Sequence, residues 1–430
     1  MALRATSKNR KGRIGQKAVF IAACALIACA ASLVSCSFAS VPDDPSETAD
    51  KPAIETEAPN TTEPAAPPNT QKPAPEPTIE EQAAERVSVM TLEQKVAQMF
   101  MVTPEAITGV DAATQAGAAT ESALAEYPVG GIVYFQKNLI DPDQTKTMIA
   151  NTQAYSQEAS GLPAFIAVDE EGGTVKRIAD NPGFDIEDVG NMADTGATGD
   201  PSQAKTAAET VAAYLADLGF NLNLAPDADI CGDPSTDVMA LRSFGGDPQT
   251  VAEMVEAQVE GFESSGMLCS AKHFPGIGGV MGDSHKGAIV SDKTLDELRA
   301  WELVPFEAAI AADVPFVMVG HLSLPTALGT DIPASINAAV VTDLLRDELG
   351  FGGIIITDAM EMGAVGDFCT ADQAGIAAIE AGVDMVLMPS DFPAAYQGVI
   401  DAVNDGRIPE SRIDESTARI VKAKLEYLGA

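Results

Sequence analysis

From Arg86 onward, short continuous apolar runs alternate with longer stretches in which apolar residues recur every three or four positions. The runs are Gln98–Val102, Gly131–Phe135, Phe165–Val168, Asn221–Ala225, Leu268–Lys272, Phe316–Val319, Ile354–Thr357 and Met385–Met388. Runs that are apolar at every position, rather than at every second one, suit parallel strands buried on both faces. The intervening segments Asp200–Leu218, Pro248–Ser264, Asn337–Leu349 and Ala371–Ala381 carry the spacing of amphipathic helices. Strand and helix alternate throughout with no internal linker. The pattern predicts an α/β fold, a closed (β/α)8 TIM-type barrel occupying residues 86–430 as a single domain. An open doubly wound sheet is the competing arrangement. It calls for a G-x-G-x-x-G turn after an early strand, and none stands there.

The pattern upstream is different. Residues 1–35 read as an export signal: a basic stretch holding Arg4, Lys8, Arg10, Lys11, Arg13 and Lys17 precedes an Ala-rich apolar core, Ala18 to Val34. That core ends Leu33-Val34-Ser35-Cys36, which is similar to a bacterial lipobox and makes Cys36 the expected lipidation site. An ordinary secretory signal cleaved near Ala39 remains the alternative. Residues 36–85 are rich in Pro, Glu, Thr and Ala and nearly lack large apolar side chains. Such a segment cannot bury enough surface to offset the entropy of ordering, and its prolines favour extended polyproline II. It reads as a disordered tether.

Composition narrows the function. The 430 residues include 26 Lys and Arg against 63 Asp and Glu, a formal net charge of −37. A surface so negative repels nucleic-acid phosphates, so no nucleic-acid partner is expected. Cys24 and Cys29 fall in the signal. Cys231, Cys269 and Cys369 are then an odd set that suggests no disulfide framework. The 3 histidines, with no H-E-x-x-H and no Cys pair, offer no metal-ligand spacing, so neither a metal nor a cofactor is expected.

In a barrel, function gathers where the strands end. Asp169 and Glu171 follow the third run, Asp227 the fourth, His321 the sixth and Asp358 the seventh, while Lys272 and His273 close the fifth. Any one of these aspartates is equally well explained as a helix N-cap. Their convergence on one rim, beside a Lys-His pair and an Asp283-Ser284-His285 loop, is not.

These residues belong to motifs: VDEEGGTVKR (168–177), RSFGGDP (242–248), KHFPG (272–276), GDSH (282–285), GHLSLP (320–325) and TDAMEMGA (357–364). In order and spacing, with the opening MTLEQKVAQMF (90–100), they resemble glycoside hydrolase family 3, in its β-N-acetylhexosaminidase branch. The resemblance implies a retaining glycosidase. Asp358 matches the nucleophile, which forms a glycosyl-enzyme that water resolves. It implies that His285 is the acid/base, with Asp283 orienting its ring. Lys272 and His273 match a pair that holds sugar hydroxyls, and Asp169, Arg242 and Arg177 match further substrate-binding positions. Glu171 and His321 occupy motif positions read as supporting ones.

The chain departs from the usual pattern in three places. Ile277 and Gly279 stand where the loop often has His and an acid, and Thr174 replaces a common Arg. The resemblance is to the single-domain form. The expected activity is removal of terminal β-linked N-acetylglucosamine from peptidoglycan fragments or chitooligosaccharides, by a monomer anchored through lipid to the outer face of the cell membrane or else secreted. Rival readings are a β-N-acetylglucosaminide phosphorylase, a β-glucosidase of the same family, and a sugar-binding lipoprotein without activity.

Overall fold

The computed structural model describes residues 77–232, 239–280 and 289–430. The expected signal, the lipidation site Cys36 and the pair Asp283 and His285 lie outside the described residues, as does most of the expected tether.

Eight strands form one parallel sheet: β1 Phe100–Val102, β2 Gly131–Val133, β3 Phe165–Val168, β4 Leu222–Asn223, β5 Leu268–Phe274, β6 Phe316–Val319, β7 Ile354–Thr357 and β8 Val386–Leu387. Each pairs with the next in sequence, and β8 returns to β1 through Phe100↔Val386 and Met101↔Leu387. The ring closes between β7 and the start of β8. There Ile356 pairs with Met385, and the Thr357 amide donates to the Met385 carbonyl at 3.1 Å. This is the expected barrel. Every residue of β3, β6 and β7 is buried, which is why their sequences are apolar at every position.

Local chemistry sets the helix limits. Helices Pro142–Ser160, Pro201–Leu218 and Pro248–Ser264 each begin with Asp-Pro, the Asp side chain accepting a first-turn amide and the Pro filling a position that has no amide partner to lose. The segment expected as a regular helix from Asn337 runs Ala339–Glu348 and is wound as a π-helix, the Leu349 amide reaching back to Leu344. A short parallel ribbon, Ile289–Val290 with Leu322–Ser323, lies outside the barrel sheet.

One boundary moves. Residues 36–85 were expected to be tether throughout, yet helix Ile79–Ser88 begins inside that segment. Thr78 and Glu81 form a reciprocal capping box, and Ala83 and Val87 bury one face against Leu162 and Val421. The overall Pro and Glu content masked a local start signal. Among the described residues, no helix is long and apolar enough to cross a membrane.

Candidate active site

At the C-terminal ends of the strands the barrel opens into a cavity of ≈ 280 Å³, lined by Asp169, Arg177, Arg242, Lys272, His273 and Asp358 among others. The six described residues expected to contact substrate or perform chemistry therefore line one cavity. Val133, Leu224 and Met318 supply apolar floor beneath them. A small cavity with an apolar base and few converging polar groups suits a small ligand.

Strand β5 is longer than expected and carries Lys272 and His273 within it, both buried. Lys272 Nζ donates to Asp169 Oδ1 at 2.7 Å and lies 2.6 Å from Glu171 Oε1. Arg242 grips Glu171 with two prongs, Nε to Oε2 at 2.7 Å and Nη2 to Oε1 at 2.8 Å. Burial alone would raise the Glu171 pKa, but Arg242 and Lys272 outweigh it and bring it down to about 2. Glu171 thus stays anionic and fixes both cations, whose side chains line the cavity.

His273 is held from the other side. Its Nδ1 lies 2.7 Å from Asp229 Oδ2, the same oxygen accepts its main-chain amide at 3.3 Å, and Asp229 Oδ1 accepts the Ile277 amide at 2.5 Å. With Nδ1–H given to Asp229, Nε2 faces Arg242 Nη2 at 3.5 Å and the cavity. Burial pushes Asp229 up, but hydrogen bonding and charge attraction to His273 leave it below its ordinary value. Neighbouring Asp227 goes the other way, raised well above its ordinary value by burial and by Asp229. Its Oδ2 lies 3.4 Å from Arg242 Nε yet has no hydrogen-bond partner among the described residues.

Asp227, Asp229 and His273 also bring ligand atoms within 4.8 Å of one another, a grouping the sequence spacing did not suggest. Asp229 already accepts from His273 Nδ1 and two amides, and the Arg242 guanidinium supplies a positive charge beside Asp227.

Asp358 follows β7 directly. Its amide donates to the Val319 carbonyl at 2.8 Å and its Oδ1 accepts the Ala359 amide at 2.7 Å. Burial works to raise its pKa, but His273, His321 and the Ala359 amide, then Lys272, outweigh this and hold it below the ordinary value. The carboxylate is therefore ionised at neutral pH and half-buried at the cavity. His321 braces the same turn, Nδ1 against Ser335 Oγ at 2.7 Å and Nε2 against the Ala359 carbonyl at 3.0 Å.

The sequence reading missed Asp229, Glu170 and Glu361. Asp229 stands two residues past Asp227 in Asp-Ala-Asp, a spacing that hints at two carboxylates on one side of the chain but does not say which one takes the histidine.

A family model described as glycosyl hydrolase family 3 N terminal domain matches residues 91–423. The chain is 33% identical over 326 residues to beta-hexosaminidase A of Pseudoalteromonas piscicida, covering 70% of this chain and 54% of that protein. It is 31% identical over 346 residues to beta-hexosaminidase LpqI of Mycobacterium tuberculosis, covering 78% of this chain and 84% of that protein. A solved family 3 β-N-acetylglucosaminidase from a Paenibacillus species superposes with a TM-score of 0.74 at 35% identity, covering 80% of this chain and 64% of that one. The chain thus spans about half the length of the first relative and most of the second. With the closed parallel barrel, the strand-end cavity and a match over most of the chain, the protein belongs to glycosyl hydrolase family 3.

Proposed function

We propose that the protein is a retaining β-N-acetylhexosaminidase that removes terminal β-linked N-acetylglucosamine from peptidoglycan fragments or chitooligosaccharides. The observation that carries this reading is Asp358: an ionised carboxylate at the end of β7, held by the Ala359 amide and facing a cavity large enough for a small sugar. The relatives named beta-hexosaminidase support the substrate class.

In the first step Asp358 forms a bond to the anomeric carbon as the glycosidic bond breaks, and imidazolium His285 gives its proton to the departing oxygen. In the second, neutral His285 takes a proton from water, water attacks the anomeric carbon, and Asp358 leaves as carboxylate. Asp283 orients the His285 ring. Lys272, Arg242, His273 and Asp169 hold sugar hydroxyls through charged hydrogen bonds. We further propose residues 1–35 as signal, Cys36 as lipid anchor and the following segment as tether, placing the enzyme outside the cell membrane as a monomer.

A panel of nitrophenyl glycosides tests the substrate class: turnover should favour N-acetylglucosamine over glucose and xylose, and a glucose preference would overturn it. Product analysis with added phosphate should yield free sugar and no sugar phosphate. Trapping with a fluorinated glycoside should label the peptide containing Asp358 and no other. Metabolic labelling with palmitate should mark the wild type and not C36A.

A further inference from the structure

Resting on that reading, we propose that Glu170 is a positioning residue that acts through Arg177, fixing one edge of the sugar pocket. The family resemblance drew attention to Asp169 and Glu171 on either side of it, and the functional site described so far does not use it. Glu170 is buried, with its side chain turned toward the returning strand of its own loop. The loop turns at Gly172 and Gly173, both at positive φ (92° and 59°), and closes through the Glu171 amide to the Val175 carbonyl at 2.8 Å. Residues 177–179 are thereby brought back over residue 170.

There Glu170 meets four donors. Oε2 accepts the amides of Arg177 at 2.5 Å and Ile178 at 2.9 Å, while Oε1 accepts the Ala179 amide at 2.8 Å and the Tyr214 hydroxyl at 3.0 Å. Two oxygens with two lone pairs each are thus fully used, and only a carboxylate offers four acceptor sites with no donor of its own. A glutamine would turn an NH2 group toward donors. Three of the four donors are consecutive main-chain amides, so the bond pattern fixes the backbone from which Arg177 projects.

Arg177 is arranged as a waiting contact. Its guanidinium lies over the Phe135 ring at 5.5 Å and stays 3.8 Å from Asp169 Oδ2, while Lys272 holds Asp169 Oδ1. Its Nε is buried with no hydrogen-bond partner among the described residues, and the side chain lines the cavity. The side chain keeps 30% of its surface open, so the exposed end of the guanidinium rather than the buried Nε is what a sugar hydroxyl can meet. The loop's other cation, Lys176, is tied to Asp188 away from the cavity. With Thr174 in place of an arginine, Arg177 is the cation from this loop that faces the pocket.

The test compares E170Q, Y214F, R177A and the double variant E170Q/R177A with wild type. Hydrogen exchange of the 177–179 amides should accelerate in E170Q well below its lowered melting temperature, and by more than amides in the barrel strands. The KM should rise about tenfold with kcat within about threefold, and R177A should do the same. The double variant should match R177A alone, because one contact is lost once. Y214F keeps the carboxylate and should move KM the same way by less. Unchanged exchange, or effects of E170Q that persist undiminished in the R177A background, would overturn the assignment. Kinetics are run on whichever nitrophenyl glycoside the wild type cleaves. A wild type that prefers glucose overturns the substrate reading while these comparisons still decide the role of Glu170. A wild type that cleaves none overturns both.

Discussion

The two ends of the barrel both bury charge, but they spend it differently. At the N-terminal end Asp384, just before β8, accepts from Arg346, Arg419, Ser416 and the Ile355 amide, with Arg412 at 3.9 Å. Arg346 and Arg412 give further donors to the carbonyls of Phe351, Gly353 and Val383. The floor of the same end holds Lys424, whose Nζ donates to Gln98 Oε1 at 2.6 Å and lies 5.1 Å from the Phe165 ring centre. At the C-terminal end Arg177, Arg242 and Lys272 line an open cavity, and Arg177 Nε has no hydrogen-bond partner among the described residues. Charge tied to fixed protein partners marks the end that holds the barrel together, and charge facing a cavity marks the end prepared for a ligand.

The largest effect that separates the two ends should come from D358N. It removes the nucleophilic charge while keeping the Ala359 amide partner, so kcat should fall at least about a thousandfold with little change in melting temperature. Steady-state kinetics and calorimetry on the same sample check both halves. Activity that survives, or a large drop in stability, would erase the distinction.

D384N should do the reverse. It leaves Arg346, Arg412 and Arg419 without their shared anion in a buried setting, where losing one partner costs about 3–5 kcal/mol. The melting temperature should fall by on the order of 10 °C. Well below that temperature kcat and KM should stay at wild-type values. A change in KM would mean that the two ends are coupled.

How much of this contrast is visible in the sequence depends on the range of the signal. The strands were legible because burial on both faces leaves a local record: Phe165–Val168, Phe316–Val319 and Ile354–Thr357 have the limits expected of them. The rim was legible in outline, since a strand end is defined by its strand, and Asp169, Lys272, His273 and Asp358 do line one cavity. The choice of partners was not. Nothing local says that Glu171 binds Arg242 and Lys272 at once, or that Asp229 rather than Asp227 takes His273. The floor was illegible altogether, because Arg346, Asp384, Arg412 and Arg419 come together only when the ring closes.

A smaller effect should come from Lys424. Burial depresses its pKa from 10.5 to about 7, so between those values the unfolded chain binds the extra proton and stability rises with pH. Below pH 7 the penalty of burying the charge is complete. K424M removes it while keeping most of the side-chain volume, and should raise the melting temperature by about 5 °C at pH 6. The gain should shrink as the pH approaches 10. A gain that is the same at every pH would show that packing, not ionisation, is responsible.

The smallest effect should come from Glu361, and it bears on which group passes the proton. Retaining glycosidases commonly pair the nucleophile with a carboxylic acid about 5–5.5 Å away. Among the carboxylates lining the cavity, Asp169 and Glu171 are committed to Lys272 and Arg242, whereas Glu361 is exposed and hydrogen-bonded to no described residue. It is thus the described side chain best placed to compete with His285. Exposed and without a partner among the described residues, it has nothing to hold it in line with a departing glycosidic oxygen, as an acid/base must be held. E361Q should therefore change kcat/KM by less than about threefold and leave the pH profile in place. A fall of a hundredfold in E361Q that azide restores would transfer the acid/base role to Glu361 and remove it from His285.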